Sequence, residues 1–341
     1  CYNGGSTCSI RDSIEFCNSL DLYALANSAI PIPTVNLYPI CEISIDSTSA
    51  NIIANTINTT STLKMDMGGH KIRIQSSLPG TNIIIQRDNS NSNSNNKFKL
   101  IENHSYLILK DISIKNGYLL NVDESNYGAG IRNIGTLELI DSVIQNNKGV
   151  KSDRDKIGTG GGIYNTPNGV IIMKNVKFIK NSAVGGCSGG CRTPNFQSKG
   201  GAIYNCAGGS IVGHTVEFIE NRATNHDEDA FGGAIFNEGS ITLTNSIFRG
   251  NIVADNGGGT FGERGGAIFQ NVGTFILNTV LFDGNLAAIY SGDGSGTAGA
   301  LAVNGGNITI FDGTFVNNVA RSNSGTNNGW IGSGTLNFIN S

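Results

Sequence analysis

The sequence is short of charged residues, proline and aromatic residues, and each shortage excludes a class of protein. Charged residues make up 14% of the 341 residues, against roughly 25% in typical domains. The formal net charge is −3 and no Lys/Arg-rich run occurs. Nucleic acid is therefore not an expected partner, because phosphate binding needs clustered positive charge. No stretch approaches about 18 consecutive apolar residues, so we predict no membrane-spanning helix in this segment.

Proline is scarce while glycine is abundant, with 6 Pro beside 47 Gly. A disordered linker would be rich in both residues. The excess of glycine alone indicates many tight turns between short strands.

Cysteine occurs in two clusters, one in the first 41 residues and one in residues 187–206. The seven cysteines are Cys1, Cys8, Cys17, Cys41, Cys187, Cys191 and Cys206. We predict disulfides that pin an N-terminal cap and a loop, which implies an oxidising compartment. Free thiols are one alternative. A zinc site on the second cluster is another, although no nearby His is a convincing fourth ligand. The pairing stays open, and the odd count leaves at least one thiol without an intramolecular partner.

The chain begins with Cys rather than Met and shows no signal peptide, so we expect it to be processed or excised from a longer chain. Three Asn-x-Ser/Thr sequons, at Asn58, Asn103 and Asn307, are candidate glycosylation sites in a eukaryotic secretory pathway.

One pattern recurs through most of the chain. Its first motif is Gly-Gly-Ala-Ile-aromatic-Asn, as in GGAIYN (200–205) and GGAIFN (232–237). Its second motif, Phe-x-x-Asn, returns every 30 to 40 residues. The Phe and Asn of that motif are Phe178, Asn181, Phe218, Asn221, Phe248, Asn251, Phe282, Asn285, Phe315 and Asn318.

Each repeat holds three stretches of about five residues in which apolar and polar residues alternate, separated by Gly or Asn. Alternation with period 2 predicts strands with one buried face, and such short strands are stable only when copies stack. Helical repeats are excluded because no i, i+3, i+4, i+7 apolar stripe is present. The fold class is therefore all-β, a right-handed parallel β-helix (solenoid) with three short strands per coil. We interpret the repeated Phe and Asn as structural ladders inside the coil.

Two domains are predicted from these patterns. Residues 1–41 form an N-terminal cap with disulfides and a short helix within 7–21, and residues 42–341 form the β-helix, with regular coils from about 128. The last residues, SGTLNFINS (333–341), match the middle strand of a unit. Either residues beyond 341 exist, or the uncapped coil continues into a neighbouring subunit.

The two recurring motifs resemble the passenger repeats of the chlamydial polymorphic outer membrane proteins. They are also similar to those of a wider set of right-handed β-helix surface proteins. Residues Cys8–Ile14 (CSIRDSI) resemble a segment with which that wider set often opens. The resemblance implies a secreted, surface-displayed protein, and adhesion more than catalysis. The Asn- and Ile-rich composition departs from the chlamydial proteins.

Candidate catalytic or ligand-binding residues lie in the loops between the Phe-x-x-Asn turn and the next Gly-Gly. These loops leave the coil at one corner. Asp227, Asp229 and Glu263 are the candidates to converge there, and with Arg264 they would suit Ca²⁺ or a sugar. The alternative is that loop charges are simply solvated and keep the protein soluble. Apart from Ca²⁺, no cofactor is expected, and no catalytic residue is assigned. Trp330, the single Trp, either is buried or stacks at an exposed edge.

We interpret the chain as a non-enzymatic extracellular structural or adhesive protein of a cell surface, appendage or filament. Its expected partners are neighbouring subunits joined end to end, or a host or cell-surface ligand. The alternative is a carbohydrate-active β-helix enzyme, either a polysaccharide lyase or a glycoside hydrolase. The source, the ligand and the choice between a filament subunit and an adhesin passenger stay open.

Overall fold

A computed structural model of the chain describes thirteen stretches of it. These are residues 40–45, 56–59, 61–66, 71–76, 80–87, 97–121, 127–151, 158–185, 197–225, 229–255, 262–289, 296–321 and 327–339. The predicted cap, its helix within 7–21 and Cys1, Cys8 and Cys17 lie outside the described residues. Within the described residues, no helix is long and apolar enough to cross a membrane.

The described residues form strands, and all pairing between these strands is parallel. In chain order the strands are β1 (Ile40–Ile45), β2 (Thr56–Thr59), β3 (Leu63–Met65), β4 (Lys71–Ser76), β5 (Ile83–Arg87), β6 (Ile101–Asn103), β7 (Tyr106–Lys110), β8 (Ile112–Lys115), β9 (Tyr118–Asn121), β10 (Ile131–Asn133), β11 (Thr136–Gln145), β12 (Lys148–Lys151), β13 (Gly158–Thr159), β14 (Ile163–Asn165), β15 (Val170–Ile179), β16 (Ser182–Val184), β17 (Ser198–Lys199), β18 (Ile203–Asn205), β19 (Ser210–Ile219), β20 (Arg222–Asn225), β21 (Ala230–Phe231), β22 (Ile235–Asn237), β23 (Ser240–Arg249), β24 (Ile252–Asp255), β25 (Ile268–Gln270), β26 (Thr274–Asp283), β27 (Leu286–Ile289), β28 (Leu301–Val303), β29 (Asn307–Val316), β30 (Val319–Ala320), β31 (Gly329–Ile331) and β32 (Thr335–Ile339).

These strands assemble into sheets that run along one axis. The thirteen-stranded sheet holds β1, β4, β7, β11, β15, β19, β23, β26, β29 and β32 in order, with β2, β5 and β8 attached. The nine-stranded sheet has the order β3-β6-β10-β14-β18-β22-β25-β28-β31. The seven-stranded sheet runs from β9 to β30, and β13, β17 and β21 form a short fourth sheet. This topology confirms the predicted all-β parallel solenoid. About six regular turns, from β10 to β30, contribute a strand to each of the three larger sheets.

The division of each coil into strands differs from the predicted three strands of about five residues. The second and third predicted strands run together as one ten-residue strand such as β11 or β23. A further strand follows the Phe-x-x-Asn turn, where a loop was expected. Small apolar residues explain that strand, because Ala223, Ala230, Val253 and Ala287 are buried against one another in a cluster of their own.

Each ten-residue strand bends at its sixth residue, which has a positive φ. These corner residues are Asp141 (φ 48°), Asn175 (52°), Thr215 (57°), Asn245 (53°), Thr279 (55°) and Asp312 (57°). Asn and Asp tolerate this left-handed conformation, whereas a β-branched residue is strained in it. The corner therefore explains why polar residues interrupt the apolar alternation at this position.

The interior of the coil is one continuous hydrophobic core. Ile and Leu fill the core in the N-terminal coils. In the later coils, Phe178, Phe218, Phe248 and Phe282 are also part of the core and are fully buried. Because each strand pairs in register with its counterpart in the next coil, like residues stack on like. The core thus extends along the axis rather than forming a single centre.

Apolar side chains are exposed mainly at the far end of the stack. Of the nine large hydrophobic residues that are exposed in the described stretches, five belong to the last coils, namely Val316, Val319, Ile331, Phe338 and Ile339. There β30, β31 and β32 each pair on one side only among the described residues. The last strands therefore carry exposed apolar side chains next to edges that have no partner strand among the described residues.

Candidate functional site

The Asn residues of the Phe-x-x-Asn motif form a hydrogen-bonded ladder inside the coil. The Nδ2 of Asn221 donates to the Oδ1 of Asn251 (3.0 Å) and to the carbonyl oxygen of Phe178 (2.9 Å). Its Oδ1 accepts from the backbone N and the Nδ2 of Asn181, each at 3.0 Å. The same arrangement repeats from Asn147 to Asn318. The side-chain amides of this ladder therefore form hydrogen bonds that join adjacent coils.

The Phe residues of the motif stack in a parallel column next to this ladder. Ring centroids lie 4.9 Å apart for Phe178 and Phe218, and 4.7 Å apart for Phe218 and Phe248. The column continues through Phe282 to Phe315 at 5.0 and 4.8 Å. These separations match the spacing of neighbouring strands, so the rings follow the backbone stack.

A second ladder runs through the last residue of six successive strands of the nine-stranded sheet, from β6 to β25, which is Asn in five of them and Gln in the sixth. Each Nδ2 donates to the next side-chain oxygen at 2.7–2.8 Å, through Asn103, Asn133, Asn165, Asn205, Asn237 and Gln270.

This second ladder corrects the glycosylation prediction for Asn103. The residue is fully buried, and its Nδ2 donates to Asn133 and to the carbonyl oxygen of Thr136. An attached glycan would need that nitrogen in solvent, so the folded coil excludes it. Asn307 is exposed at the start of β29. The side chain of Asn58 lies outside the described residues.

The predicted carboxylate site is only partly described, since Asp227 lies outside the described residues. Asp229 accepts a hydrogen bond from the backbone N of Gly262 (2.7 Å), and Glu263 is fully buried. Asp229 and Glu263 therefore lie on neighbouring coils, but Asp229 binds backbone. Within the described part of the chain, no three His, Cys, Asp or Glu side chains form a group suited to a metal ion.

Cys206, which we predicted to join a disulfide, is a free and buried cysteine. It follows β18 in the turn between two sheets, where burial raises the pKa of its thiol to about 11 despite a hydrogen bond with Tyr164. A thiol with a raised pKa is a poor nucleophile at neutral pH. The side chains of the other six cysteines lie outside the described residues, so the pairing of those six stays a prediction.

A column of outward-facing side chains on the nine-stranded sheet was not predicted as a site. We name it the aromatic strip, and in order along the axis it holds Arg132, Tyr164, Tyr204, Phe236, Phe269 and, beyond Ala302, Trp330. Consecutive rings from Tyr164 to Phe269 stack with centroids 5.2, 4.9 and 5.3 Å apart. Phe236 and Phe269 are buried, whereas Tyr164, Tyr204 and Trp330 are half-buried. The rings at the centre of the strip are thus buried, and the rings towards its two ends are partly exposed.

Two cations lie over the aromatic strip. The Lys199 Nζ is 4.9 Å from the centroid of Phe236, and the Arg264 guanidinium is 5.1 Å from that of Trp330. Burial lowers the pKa of Lys199, and the charge of Glu238 opposes this shift. In the described stretches no carboxylate oxygen lies within 4.0 Å of either cation. Cation–π contact stabilises these charges in place of ion pairs.

Charged residues converge around Glu102, at the lower end of the same sheet face. Its carboxylate is 2.7 Å from the Lys99 Nζ, 2.8 Å from the His104 Nε2 and 3.8 Å from the Arg132 Nη1. Burial alone raises the pKa of Glu102, but the hydrogen bonds and charges of these three neighbours hold that pKa at about 2. Glu102 is therefore ionised at any physiological pH and is unsuited to act as a general acid or base.

The sequence contained a signal for the aromatic strip that we assigned wholly to architecture. In GGAIYN, the Ile and the Asn on either side of the aromatic residue are buried, as Ile203 and Asn205 show. Since strand side chains alternate between faces, the intervening Tyr204 has to point outward. The recurrence of that aromatic position indicated a stacked column on the outer face of the sheet.

Comparison of the chain with models of protein families, with curated proteins and with solved structures finds no match. The resemblance of its motifs to surface-protein repeats therefore has no support from these comparisons. The strand pairing supports the parallel β-solenoid fold and the surface geometry described above.

Proposed function

We propose that the chain is a non-enzymatic extracellular protein, a rigid β-solenoid rod that serves a structural or adhesive role on a cell surface, appendage or filament. One observation carries this proposal. The side chains that the sequence repeats are the ones buried in the two Asn ladders and the Phe column. Repetition of these residues therefore serves stiffness and length.

The resemblance to surface-displayed β-helix proteins supports the extracellular part of the proposal. The sequon at Asn307 is exposed, and glycosylation at this candidate site would be consistent with secretion. Disulfides among the remaining cysteines would be further support, since they persist in oxidising compartments.

End-to-end joining of neighbouring subunits is one form of the proposed structural role. Stacking of coils already extends the core along one axis, so a joined neighbour would lengthen the rod along that axis.

The carbohydrate-active enzyme is the rival that a test has to exclude. We would incubate the protein with polygalacturonate, alginate, hyaluronan and chondroitin sulfate, and measure new reducing ends and unsaturated products. The proposal predicts no product above that of a heat-denatured sample. Turnover that disappears in the combined Asp229→Asn, Glu263→Gln and Arg264→Gln variant would establish the enzyme instead.

A further inference from the structure

We draw no further inference here: the strongest candidate, the open groove at the bend of β23, β26 and β29 that Ile247, Leu281 and Asp312 line, is an unpartnered surface, and nothing in the described residues shows what covers it.

Discussion

At the scale of single residues, the fold depends on fully buried side chains. Phe248 is fully buried between the rings of Phe218 and Phe282, at 4.7 and 5.0 Å. We expect Phe248→Ala to lower the free energy of unfolding by about 3–5 kcal/mol, because it leaves a cavity in the middle of the column. Chemical denaturation checks this, with Val212→Ala, 52% exposed, as the control. An unchanged midpoint for the Phe248 variant would mean that the column is not core.

The Asn ladder makes a separate prediction, because its amides satisfy buried backbone groups. In Asn221→Ala, the backbone N of Asn181 and the carbonyl oxygen of Phe178 each lose a hydrogen-bonding partner. At roughly 1–3 kcal/mol for each orphaned buried group, we expect a loss of about 3 kcal/mol or more in unfolding free energy.

The control for this prediction is Asn278→Ala, whose side chain makes one 3.4 Å contact with Thr244 on the surface. It should change the unfolding free energy by no more than about 0.5 kcal/mol. Equal losses in the two variants would contradict a special role for the ladder.

Glu102 predicts a dependence of stability on pH. Its pKa is about 2 in the folded chain, below the ordinary value of 4.5 for a glutamate side chain. A lowered carboxyl pKa stabilises the fold above pH 4.5, and this contribution is lost as the pH falls through about 2. Glu102→Gln should therefore be less stable at pH 6 and should lose less stability on acidification, as measured by urea denaturation between pH 6 and pH 2.

The acidification control is Glu220→Gln, whose exposed pair with Lys180 is 3.3 Å apart. Its stability should follow the pH profile of the unmodified protein, because exposed pairs contribute little. A Glu102→Gln profile that also coincides with that of the unmodified protein would exclude the Lys99, His104 and Arg132 cluster as a stabilising group.

At the scale of the strand, the corners hold a built-in strain. Thr279 has φ 55° at the bend of β26, where four of the other five ten-residue strands place Asn or Asp. A β-branched residue is disfavoured in this conformation and Asn tolerates it. We expect Thr279→Asn to raise the free energy of unfolding by about 1 kcal/mol. Thr274→Asn, exposed at the extended start of the same strand, should give no gain. A loss of stability in Thr279→Asn would contradict the corner assignment.

The strands also show how much of the fold could be predicted from the sequence. Alternation and the two motifs were sufficient for the parallel coil and for the inward-facing Phe and Asn, because burial imposes period 2. The strand after the Phe-x-x-Asn turn was missed, since Ala223 and Val253 are too few and too small to read as a buried face. The aromatic strip was missed for another reason: Tyr204 was counted within a motif whose neighbours point inward, and cations such as Lys199 reach it from outside the motif.

At the scale of the whole molecule, the interior and the surface of the solenoid follow different rules. Each coil contacts mainly its neighbours, so the interior repeats while surface columns change from coil to coil. The aromatic strip is one such column, in which Arg, Tyr, Phe, Ala and Trp follow one another along the axis.

Electron microscopy of the protein in material from its native source, with a specific gold-labelled antibody, tests the proposed function most directly. The account predicts label on thin rods outside the cell, either standing on the envelope or joined end to end with an axial repeat near the length of one rod. Label on compact particles inside the cell, with no rods or filaments, would contradict it.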